Sequence, residues 1–162
     1  MSIHQPKAAL TPCAGRCSTV FGDNVCRGCR RFSHEVIHWN RYTEEQQKLV
    51  WQRLDQQIDK ILIPLLPHYQ IAQLELFLKV KHAKILSDAG LGRKLYYALK
   101  LCEKSPIFVT ESGLGIEAKD IKPIWKTFEQ RVLHLAQASY ELAFLRANMV
   151  SDNLLKDLDD DD

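Results

Sequence analysis

The chain has 162 residues, 46% hydrophobic and 26% charged. This excludes wholesale disorder and leaves room for one cored domain, or for a small metal module joined to a slightly larger domain. The net charge of +2 marks no partner by itself, although residues 1–42 are basic and the end, with Asp157 and Asp159 to Asp162, is acidic. The most apolar stretch, Ile61 to Val80, is broken by Pro64, Pro67, His68, Glu75 and Lys79 and is no membrane span, and residues 1–10 lack the apolar segment of a secretory signal, so a cytoplasmic location is expected.

In chain order, residues 1–11 show no periodicity. From Pro12 to about Arg31 the pattern C-x3-C-x8-C-x2-C, formed by Cys13, Cys17, Cys26 and Cys29, puts four of the five cysteines into a short run. A glycine stands inside each half, Gly15 and Gly28, where a tight turn can aim backbone N–H groups at thiolate sulfur. In a reducing compartment such a cluster points to a metal rather than to disulfides. Phe21-Gly22-Asp23-Asn24 is a turn signal and predicts a short hairpin that returns the second cysteine pair to the first.

Ser33 is read as the N-cap of a helix over 34–41 bearing Val36, Ile37 and Trp39. Thr43 and Gln46 form a capping box for a helix with Val50, Leu54, Ile58, Ile61, Leu62 and Leu65 on its apolar face, ended or kinked by Pro64 and Pro67. A second amphipathic run carries Ile71 to Ile85 and closes at Gly90 and Gly92. Gly90-Leu91-Gly92-Arg93-Lys94 lacks the spacing of a phosphate loop and reads as a turn between helices. Another helix is expected from Arg93 to Glu103, with the lone Cys102 as a small buried side chain.

Ile107 to Ile116, around Glu111-Ser112-Gly113, reads as a small hairpin or an ordered loop. The longest helix is expected from about Asp120 to Val150, with Pro123 in its first turn and Leu142 and Met149 on its apolar stripe. Leu154 to Asp162 reads as a solvated tail. The expected fold is mostly α: a four-cysteine knuckle in residues 1–42, about four helices in 43–152 with a short β-hairpin near 105–118, and an acidic tail at 153–162.

From Pro12 to Trp39 the string P-C-x-G-x-C, then C-x-G-C-x-R, then E-x3-W resembles the small bacterial family called domain of unknown function 1289. The matched positions are Pro12, Cys13, Gly15, Cys17, Cys26, Gly28, Cys29, Arg31, Glu35 and Trp39, and the helix from Thr43 continues the likeness to about residue 60. The resemblance implies a predicted iron-sulfur or other four-cysteine metal protein and says nothing of the chain from about Ile63 onward.

Both zinc and an iron-sulfur cluster use four thiolates and leave a charge of roughly minus two, which the nearby Arg16, Arg27, Arg30 and Arg31 can offset. The glycine-containing turns and the early following helix favour structural zinc, with an iron-sulfur cluster as the alternative. The corresponding functions are a binding or adaptor module with an unidentified protein partner, an electron-transfer protein, or, less favoured, a nucleic-acid-binding knuckle using the arginines, Trp39 and Phe21. His34-Glu35-Val36-Ile37-His38 matches H-E-x-x-H, the zinc protease signature. Its helix is too short and lacks a third ligand, so His34 and His38 are read as surface or capping residues and catalysis is not expected.

Overall fold

The computed structural model describes residues 11–159, without the side chains of 153–159. Five α-helices follow one another: α1 Ser33–His38, α2 Glu44–Leu65, α3 Ile71–Val80, α4 Leu91–Lys104 and α5 Ala118–Asp159. Short 3-10 turns lie at Ser18–Phe21, Trp39–Arg41 and Pro106–Thr110. The fold is mostly α, as expected, and no helix among the described residues is long and apolar enough to cross a membrane.

The capping box opens α2: Gln46 N–H donates to Thr43 Oγ1 at 3.2 Å while Thr43 N–H donates to Gln46 Oε1 at 2.9 Å. Helix α1 starts one residue earlier than its sequence suggests, with Phe32 as N-cap. The Glu35 carboxylate reaches back to Phe32 N–H at 2.9 Å and takes the place of a Ser33 hydroxyl cap.

Helices α2, α4 and α5 enclose the main core around Leu62, Leu95, Leu99 and Phe128, and α3 closes it with Leu74 and Phe77. Cys102 is fully buried there, and burial pushes its thiol pKa up. Gly92 packs so closely on α2 that its N–H donates to Asp59 Oδ1 at 3.0 Å, tying the start of α4 to α2.

The hairpin near 105–118 does not form. Pro106 begins a 3-10 turn, and the buried Ser112 hydroxyl donates to Val109 O at 2.7 Å and accepts from Leu114 N at 3.2 Å, closing a compact loop. Gly113, at φ +74°, offers its carbonyl to Gln70 N–H at 2.8 Å, next to the start of α3. A Cβ on Gly113 would stand 2.5 Å from Leu74 N. Gly113→Ala is therefore expected to cost about 1–3 kcal/mol through positive φ and overpacking, read as a lowered urea midpoint.

Among the described residues the knuckle is also without strands, and an antiparallel bridge joins Val25 to Phe32. Helix α3 ends at Val80, where the chain turns through His82 at φ +51°, so the run to Ile85 is helical only in its first part. Helix α5 is longer than its apolar stripe predicts, reaching Asp159 at about 1.5 Å per residue.

Candidate metal centre

The second cysteine pair sits on a turn whose backbone is committed to sulfur. Arg30 N–H donates to Cys26 O at 2.7 Å, and Arg30 takes φ +64°, so the chain reverses directly after Cys29. Cys26 and Cys29 are 1% and 5% exposed, and their side chains hydrogen-bond to each other. That hydrogen bond holds Cys26 down to about 4; burial opposes the shift, and the N–H groups of Cys29, Ser18 and Gly28 assist it. Cys29 is pushed up correspondingly, first because it donates to Cys26 and then by burial. Arg31 Nε stands 3.3 Å from Cys29 Sγ and favours negative charge on that sulfur as well.

The first pair is docked against this turn. Arg27 N–H donates to Ser18 Oγ at 2.9 Å, and Cys26 Sγ lies 3.6 Å from Arg16 O. A Cβ on Gly28 would come 2.5 Å from Arg16 O, so the backbones of the two halves touch where only glycine fits. Cys17 is half-buried, its sulfur 2.9 Å from Thr19 Oγ1, while Cys13 is exposed with Gly15 N–H donating to its sulfur at 3.4 Å. Cys26 and Cys29 thus meet, Cys17 is on the adjoining segment, and Cys13 stands apart. Among the described residues no three ligating side chains are close enough to hold one ion.

Two arginines that the sequence places beside the cysteines are buried. Arg31 stacks on Trp39 at 4.9 Å from the ring centroid, and Arg30 enters the helical core against Tyr96 and Phe128 at 5.6 and 5.7 Å. Arg30 Nη1 donates to Gly28 O at 2.7 Å. Burial lowers the Arg30 pKa, with Tyr96 and Cys29 among the groups that favour its cation. Of the basic cluster, Arg16 and Arg27 remain exposed, with Arg27 paired to Asp23 at 3.2 Å. Trp39 is buried, whereas Phe21 is 89% exposed.

The H-E-x-x-H segment folds in a way that occupies its glutamate. His34 and His38 are exposed, but Glu35 is buried and accepts from Arg53 Nη1 at 2.9 Å and Nη2 at 2.5 Å. Arg53 also lies 4.0 Å over the Phe32 ring. Three donors, two from the Arg53 guanidinium and one from Phe32 N–H, thus engage the carboxylate that the zinc protease signature would need as its base. Arg53 was not visible from sequence as a partner: nothing local marks it, and the contact spans α1 and α2.

Val25 and Phe32 pack on Ala136, with Leu133 and Tyr140 beside them, so the knuckle shares its packing with α5. Tyr96, Phe128 and Ala136 therefore support the cysteine turn from outside the cysteine segment.

Residues 11–58 match the family model described as Protein of unknown function (DUF1289). No curated protein and no solved structure matches the chain. The match takes in the four cysteines, α1 and most of α2, and ends before α3, α4 and α5, so the likeness to this family of proteins of unknown function is confined to residues 11–58.

Proposed function

We propose that Cys13, Cys17, Cys26 and Cys29 hold one metal ion, with zinc favoured over an iron-sulfur cluster, in a structural site of a protein-binding or adaptor module. The observation that carries this reading is the Cys26–Cys29 turn, where two buried sulfurs meet under backbone N–H groups and Arg31. Such surroundings favour thiolate at Cys26, the form that binds metal. The donor set fits a soft four-coordinate ion, and a site with four thiolates carries roughly minus two, which the buried Arg30 and Arg31 offset.

Completing the set requires the Cys13–Cys17 segment to close on the buried pair. Gly15, at φ +85° with open space where a Cβ would be, gives that segment the freedom to do so. Zinc bound by these four residues would cross-link both halves of the knuckle and add folding free energy. Burial of both central sulfurs favours a structural role. Val20 and Phe21, exposed on the 3-10 turn after Cys17, offer an apolar tip for a protein partner.

Elemental analysis and a visible spectrum of anaerobically purified full-length protein test the reading. One zinc per chain in a colourless protein, with zinc lost in Cys29→Ser, is the expected result. Stoichiometric iron and sulfide with charge-transfer absorption would replace zinc by the cluster, and wild-type protein that binds neither would end the proposal.

A further inference from the structure

Beyond the cysteine region and independent of it, α5 carries a face with no partner among the described residues. Its first half is anchored by Ile121, Phe128, Val132 and Ala136, all buried, whereas every residue from Glu141 to Val150 is exposed. Leu142, Leu145 and Met149 are 50%, 58% and 65% exposed at helical spacing on one side. An unsupported helical segment of this length is marginal in water, so a helix that runs on to Asp159 calls for a partner.

The face has a polarity that selects the partner. Arg131, Ala138, Leu145 and Asp152 follow one another at seven-residue steps and are all exposed, giving a seam that is basic at one end, apolar in the middle and acidic at the other. The flanks repeat this asymmetry: residues 118–137 hold four Lys and Arg against two Asp and Glu, while residues 150–162 hold six Asp against Lys156. A parallel pair of these helices would set the acidic ends side by side. An antiparallel pair sets each acidic end along the other's basic flank.

We infer that a second copy of this chain docks on this face, the two α5 helices crossing antiparallel with Arg131 of each opposite Asp152 of the other. This register places Ala138 opposite Leu145, a small residue against a large one. The contact is isologous and closes as a dimer.

Sedimentation equilibrium of the full-length protein tests it, with a mass of twice 18.7 kDa expected. Leu145→Glu sets an unpaired carboxylate against Ala138 of the other copy and is expected to raise the dimer dissociation constant by about a hundredfold or more, with the melting temperature of the helical core kept because Leu145 makes no core contact. Arg131→Glu is expected to weaken the dimer about tenfold, and the charge swap Arg131→Glu with Asp152→Arg to restore it. A wild-type monomer at all concentrations, a dimer indifferent to Leu145→Glu, or a swap that fails to restore association would each overturn the inference.

Discussion

Phe128→Ala is expected to remove about 3–5 kcal/mol of folding stability and also to weaken zinc retention at the proposed four-cysteine site, although it lies on α5, far along the chain from it. Phe128 is fully buried between α4 and α5, in contact distance of Tyr96 and Trp125, so truncation leaves a cavity that rigid helices cannot collapse. The second effect follows from Arg30, whose guanidinium lies over the Phe128 and Tyr96 rings while its Nη1 holds Gly28 O inside the C-x2-C turn. With one ring gone, a buried cation loses part of its support and the turn loses its anchor. Urea unfolding of the variant reads the first effect, and the rate of zinc transfer to a chelator reads the second. Phe128→Leu, which refills most of the volume without a ring, should recover much of the stability and less of the zinc retention. Unchanged zinc transfer in Phe128→Ala would show that Arg30 is not what couples the core to the turn.

Glu35→Gln is expected to cost about 3 kcal/mol, while His34→Ala and His38→Ala each stay within about 0.5 kcal/mol of the wild type. Glu35 holds Arg53 through both carboxylate oxygens and caps α1 through Phe32 N–H. Replacing it by an amide leaves Arg53 without its counter-charge at a site where only part of that side chain reaches water. Arg53→Met should partly rescue Glu35→Gln, since an unpaired guanidinium is then absent. A metal-dependent hydrolase would show the opposite ranking: the histidine variants would lose metal and activity, and Glu35→Gln would be folded but inactive. Thermal melts of the four variants separate the two cases.

What was legible in the sequence was local. The Thr43–Gln46 capping box is written within four residues and forms with both hydrogen bonds in place. The four cysteines and their glycines likewise announce two tight halves, and the close approach of Gly28 to Arg16 O explains why the second half carries a glycine just before its last cysteine. Segment 105–118 misled because the apolar residues around its turn look strand-like, whereas the outcome was decided by Pro106, the Ser112 hydroxyl and the fit of Gly113 against α3. The arginines were legible as charge near sulfur but not as buried side chains. Arg30 can be buried only because Tyr96 and Phe128, from two other helices, accept its cation. The acidic composition after Val150 suggested a tail, yet helical propensity continues through Leu154 and Leu155, and α5 runs to Asp159.

These contacts also bear on what removing the proposed metal should do. A knuckle that stood alone could unfold and leave the helices intact. Here Val25 and Phe32 pack on α5, Arg30 enters the core, and Glu35 is tied to α2. Loss of the knuckle should therefore lower the stability of the helical part as well.

The central claim is the proposal that the sulfurs of Cys13, Cys17, Cys26 and Cys29 share one ion. Zinc-edge X-ray absorption on the purified, zinc-loaded protein counts those sulfurs directly. The account predicts a single shell of four sulfurs at about 2.3 Å. A shell of two sulfurs with nitrogen or oxygen filling the remaining positions would contradict it, and would leave Cys13 and Cys17 outside the site.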